Sequence, residues 1–198
     1  MEENQLSGED SMKLINEMIG KAKRSYITKG SASIVWGILI IICSMLTWAQ
    51  IEFKFKLPFD VWLLLFFAVI PQIYFSVRER KQRTFVGHDT DTMTYVWTTF
   101  GICVFILSFY SGKFQSEDLN NNITSLYMML YGIPTFITGG IFKFKPMIFG
   151  GLICWVLAVV SMWTTISYDM LMVAACGLFA WLLPGIILWN KHKRNEAC

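Results

Sequence analysis

The sequence predicts an all-α polytopic membrane protein with six transmembrane helices, both termini cytoplasmic, preceded by a short amphipathic helix. Three observations predict it. The 198 residues are 55% hydrophobic and only 16% charged, where soluble domains carry about 25% charged residues. Six apolar segments recur along the chain, each close to the ~20 residues that cross a hydrocarbon core. The basic residues crowd into alternate connections between them.

The segments are 31–50, 59–77, 94–111, 124–142, 147–167 and 170–189, and none carries an Asp, Glu, Lys, Arg or His in its interior. With the N-terminus inside, the inner connections hold fourteen of the 17 lysines and arginines. The outer ones hold only Lys54, Lys56 and Lys113. Such asymmetry over short loops orients a membrane protein, because Lys and Arg collect on the cytoplasmic side. The stretch Tyr131–Trp155 shows the logic locally. One apolar segment ends at Gly139-Gly140, the next begins at Pro146, and Lys143 and Lys145 lie in the turn.

Three regions follow. Residues 1–30 form a cytosolic segment, 31–190 the six-helix transmembrane domain, and 191–198 a basic cytosolic tail. In the first, Met12, Ile15, Ile19 and Tyr26 recur at helical spacing, which predicts an amphipathic helix over about 11–29 ending near Gly30. That face rests on the bilayer surface or the bundle, or else receives a partner.

Five cysteines are dispersed, without a CxxC pair or a nearby histidine; four fall in apolar segments, where a thiol packs as a small hydrophobe. No metal and no cofactor is expected. Gly87-His88-Asp89-Thr90-Asp91 is read as a solvated loop, since one imidazole and two carboxylates lack an assured third ligand geometry. No nucleophile, zinc or phosphate-loop motif occurs, so an enzyme is not expected. Asp169, in the outer turn Ser167-Tyr168-Asp169, is read as a cap for the last helix.

The even segments each carry one proline, Pro71, Pro134 and Pro184, and the odd ones a tryptophan, Trp36, Trp97 and Trp155. Proline frees a backbone carbonyl and kinks a helix, which membrane helices tolerate where protein or a cavity covers the break. Pro71, Gln72, Pro134, Thr135, Thr138 and Pro184 are therefore the candidate lining of a shared central space. Ser33/Gly37, Cys154/Ala158 and Cys176/Ala180 place small residues four apart, the spacing of close helix contacts.

The run Leu14-Ile15-Asn16-Glu17-Met18-Ile19-Gly20-Lys21-Ala22-Lys23, then Trp36-Gly37, the block from Gly132-Ile133-Pro134-Thr135 through Gly139-Gly140 and Lys143-Phe144-Lys145-Pro146 to Cys154-Trp155, and Leu183-Pro184-Gly185 resemble a family of small six-helix bacterial inner-membrane proteins without an assigned activity. The resemblance implies no catalytic or binding residue. It implies a small DNA-binding regulator as a neighbour, and so a cytosolic partner. Taken together, the expectation is a multi-pass protein of the cell inner membrane whose partners are the lipid bilayer and a cytosolic regulatory protein. It would serve as sensor or docking element, with no direct nucleic-acid binding and with a homo-oligomer allowed. The alternative is a small transporter or channel for a neutral or apolar solute.

Overall fold

The computed structural model describes residues 8–65, 67, 69, 88–114 and 117–196, and of the side chains before Gly30 only Met12. Every regular element among the described residues is helical, with no strand. Helix α1 is Gly8–Glu52, α2 is His88–Lys113, α3 is Glu117–Ile141, α4 is Lys145–Ser161 and α5 is Ile166–Cys176. A π-helical turn, Gly177–Leu182, joins α5 to α6, Leu183–Glu196. A single 3-10 turn, Val61–Leu63, follows α1; Asp60 caps it by accepting from the Trp62 amide at 3.0 Å.

Among the described residues three stretches are long and apolar enough to cross a membrane, Ala32–Glu52, Thr92–Lys113 and Ile166–Lys191. Helix α4 is apolar but only 17 residues long. Helix α3 has 25 residues, with Pro134 inside it and threonines and glycines diluting its apolar character. Most of the expected second span, with Pro71 and Gln72, lies outside the described residues.

Several expected boundaries move. No break occurs near Gly30: α1 starts before residue 11 and continues into the first span as one 45-residue helix. Glycine weakens a helix interior but does not end one without a left-handed cap, and no glycine among the described residues has positive φ. His88–Asp91 is helical rather than loop, and α3 begins at Glu117, so the outer connection before it shrinks. The last turn is Met162–Thr165 rather than Ser167–Asp169. Asp169 is consequently inside α5, where the N-cap is Thr165. Helix α6 extends through most of the basic tail to Glu196.

The α3–α4 connection shows how sequence makes the hairpin. Lys143 takes a left-handed φ of 51°; its amide bonds to Gly140 O at 3.2 Å and that of Phe144 to Gly139 O at 2.8 Å. These bonds satisfy carbonyls that the end of α3 would leave open. Glycine is the usual residue at such a position, but a lysine there adds a cation beside a helix C-terminus. Pro146 then opens α4, where its missing N–H costs nothing.

Close backbone contact runs along both helix pairs. In the α3–α4 hairpin, a Cβ on Gly132 would stand 2.3 Å from Trp155 Nε1, and one on Gly139 2.7 Å from the Ile148 amide. Ser125 donates to Ala158 O at 2.6 Å, and Trp155 to Met129 O at 3.2 Å. Helix α1 runs antiparallel to α5–α6: Gly30 meets Leu188 and Gly185, Gly37 meets Leu182, and Gly177 meets Ile40. At the far end Ser167 donates to Glu52 Oε2 at 3.3 Å. Gly150 of α4 lies against Phe179 and Ala180 and joins the two pairs. Helix α2 is peripheral. Only 6% of its most apolar stretch is buried, and Ser108 reaches Tyr127 of α3 at 2.7 Å.

These contacts put the α3–α4 turn and the end of α6 at the Gly30 end of the bundle, with exposed Lys143, Lys145, Lys191, Lys193 and Arg194. The opposite, Glu52 end carries exposed Lys54, Lys56 and Lys113. The test of the packing is Gly150→Ala, whose new Cβ would sit 2.5 Å from Phe179 O and 2.7 Å from Ala180 Cα. Backbone cannot move aside cheaply, so a loss of about 1–3 kcal/mol is expected in thermal unfolding in detergent. Gly101→Ala, with nothing within 4 Å of its Cβ, should be neutral or stabilising by up to about 1 kcal/mol.

Candidate functional site

The candidate site lies where the proline-bearing helix α3 meets the π-turn that precedes Pro184. Pro184 has no N–H, and its ring would collide with the carbonyl four residues back in a regular helix. The chain answers with the π-turn: Leu183 N–H bonds to Leu178 O, five residues back. In that register the carbonyl that Pro184 leaves without a partner is Phe179 O. It is covered by the backbone of Gly150, which only a glycine permits. A π-turn of this kind often marks a functional segment.

The π-turn aims Trp181 into the core. Its ring meets Trp36 of α1 at 6.3 Å, Trp97 and Phe100 of α2 at 5.7 and 6.4 Å, and Tyr131 of α3 at 5.8 Å. Trp36, Trp97 and Phe100 meet it edge-on, the geometry favoured by ring quadrupoles. Its Nε1 donates to Thr135 Oγ1 at 3.0 Å, and that hydroxyl donates in turn to Tyr131 O at 2.8 Å. Thus one side chain contacts three other helices, with its polar edge satisfied. Cys154 and Cys176 are small buried members of the same cluster, whereas the buried Cys43 turns its thiol to Val61 O at 3.6 Å.

Four of the sequence-predicted lining residues are placed. Pro134, Thr135, Thr138 and Pro184 are all buried. Thr138 donates to Pro134 O at 2.6 Å, so its hydroxyl serves its own helix. Thr135 is the member that crosses to another helix. Through its hydroxyl Thr135 joins the aromatic cluster of Trp181 and Tyr131. Pro71 and Gln72 lie outside the described residues, as do the side chains of Ile15, Ile19 and Tyr26. Met12 is 63% exposed and so does not pack on the bundle. Of the tryptophans on odd spans, Trp36 and Trp97 reach Trp181, whereas Trp155 packs on Phe136 at 5.2 Å.

Two features escape the sequence reading. Trp181 is one of eight tryptophans, and its distinguishing signal was the nearby proline. Asp169 is 1% exposed and does not cap: its Oδ1 receives the Thr164 hydroxyl at 2.5 Å, while Oδ2 has no hydrogen-bond partner. An acid three residues inside the helix that begins at Ile166 was the available signal. Ser44 Oγ on α1 is likewise buried without a partner.

Compared with known proteins, the chain matches no family model, no curated protein and no solved structure. The functional reading therefore rests on this chain's own residues.

If Trp181 and Thr135 act as a unit, Thr135→Val leaves the indole N–H unpaired and costs about 1–3 kcal/mol. In a cycle with Trp181→Phe, the double variant should fall short of the summed single losses by more than about 0.5 kcal/mol. Additive losses in thermal unfolding would dissolve the pairing.

Proposed function

We propose that the chain is a non-enzymatic, six-span protein of a bacterial inner membrane, with both termini cytoplasmic, that docks a cytosolic regulatory protein through the N-terminal half of α1. The observation that carries the proposal is the continuity of α1 from Gly8 to Glu52. At 1.5 Å per residue, the 22 residues before Gly30 reach roughly 33 Å. From Gly30 onward the same helix is seated on α5–α6 through glycine contacts. A rigid element shared between bundle and cytosol is a direct route by which packing around Trp181 reaches a partner. The exposure of Met12 leaves the apolar face predicted there available to that partner.

The orientation follows from the basic residues at the Gly30 end. The resemblance to small bacterial inner-membrane proteins supplies the kind of partner, a small DNA-binding regulator. Passage of a neutral or apolar solute between the proline-bearing helices is the weaker reading, because Pro134, Thr135 and Pro184 are buried in packed side chains.

A photo-crosslinking residue placed at Met12 in living cells tests the docking. The expected product is a covalent adduct with one soluble regulatory protein, reduced more than about tenfold by Ile15→Asp with Ile19→Asp, since each buried aliphatic contributes about 1.5–3 kcal/mol. Adducts with lipid or the bundle alone, or a yield indifferent to the double substitution, would overturn it.

A further inference from the structure

At the Glu52 end, Asn122 of α3 and Met162–Ile166 of the α4–α5 turn line an open-sided groove of about 510 Å³. That size lies within the ~300–1,000 Å³ of small-molecule sites. Thr164 is both part of the groove wall and the partner of Asp169 Oδ1. A threonine hydroxyl carries a single hydrogen. The Ser161 carbonyl is also within reach, at 3.2 Å, but the Asp169 oxygen is nearer. With its hydrogen committed to Asp169, Thr164 Oγ1 can only accept from a further partner.

Behind it, Asp169 is the one buried acidic or basic side chain among the described residues, and its Oδ2 bonds to nothing. The basic side chains described at this end, Lys54, Lys56 and Lys113, are all exposed. A buried carboxylate without a cation is costly, and within an apolar helix it marks a functional position. At the rim, Trp163 is 79% exposed and offers an aromatic face of the kind that attracts organic cations.

We infer that this groove binds a primary ammonium group, accepted by Thr164 beside Asn122, with Asp169 as the counter-charge. A divalent metal does not fit, because no three His, Cys, Asp or Glu side chains converge among the described residues. Acceptor oxygens favour N–H donors over a quaternary ammonium, which has none. The ammonium can come from a free amine or from an ethanolamine lipid headgroup, since indole rings belong at the level of headgroups. The inference stands independently of the docking proposed for α1, which concerns the opposite end.

The test uses the full chain in nanodiscs, with the unfolding midpoint followed by tryptophan fluorescence. In phosphatidylglycerol discs, ethanolamine is titrated against choline; a second set of discs contains phosphatidylethanolamine and no free amine. The midpoint should rise with ethanolamine or with the ethanolamine lipid, and choline should be at least tenfold weaker. A response to ethanolamine assigns the free amine, and one confined to the lipid discs assigns the headgroup. Asp169→Asn and Thr164→Val should each abolish the rise while keeping wild-type helix content by circular dichroism. Should one variant not fold, the other reads the same loss. No rise in either set, or an equal rise in a folded variant, overturns the inference.

Discussion

Backbone-to-backbone contact between α1 and α5–α6 is the constraint on which the rest of the structure depends. Lipid chains are as apolar as leucine, so helices in a bilayer gain little by hiding apolar side chains from their surroundings. What holds them is dense packing, which requires small residues where the helices cross. Gly30, Gly37, Gly177 and Gly185 supply these along one seam, and at each an added Cβ would stand within 3.2 Å of the opposing helix. The seam fixes the height of α1 against the π-turn. Trp36 consequently meets Trp181, and the N-terminal half of α1 continues from the seam without a break.

The same logic explains why the π-turn and the α3–α4 hairpin form one unit. Pro184 forbids a regular helix, the π register relocates the open carbonyl to Phe179, and Gly150 brings α4 close enough to cover it. Trp181 then spends its only N–H on Thr135 of α3. The proline break at Pro184 is thus absorbed by neighbouring helices, beside an aromatic cluster centred on Trp181. The less satisfied end lies elsewhere, at Asp169 and Ser44, where buried polar atoms have no partner.

Much of the helical layout was legible in the sequence, for reasons that can be named. Apolar runs and the basic turn at Lys143 and Lys145 report directly on solvent preference, and the α3–α4 hairpin falls where Gly139-Gly140 and Pro146 indicate. The small-residue pairs Cys154/Ala158 and Cys176/Ala180 are buried, and of Ser33/Gly37 the glycine is buried against Leu182 while Ser33 is half-buried. What was not legible depended on three-dimensional context. Gly30 resembled a helix end, but a glycine needs positive φ to act as one, and here it serves close packing. Asp169 resembled a cap because the apolar run after it dominates the hydropathy. The turn in fact comes four to seven residues earlier, at Met162–Thr165, and draws the acid inside. Trp181 carried no distinguishing sequence signal beyond Pro184, because its role comes from rings on three other helices.

The central claim is that α1 is one mechanical element linking the packed bundle to the segment beyond it. Amide hydrogen exchange of the full chain in nanodiscs, resolved over residues 22–38, tests this most directly. Protection rising smoothly through Gly30 towards the seam, without a gap at residues 28–33, is the expected pattern, since amides of an unbroken, packed helix open together. A fast-exchanging break at those residues, flanked by protected helix on both sides, would mean a hinge there, and the two halves of α1 would then move independently.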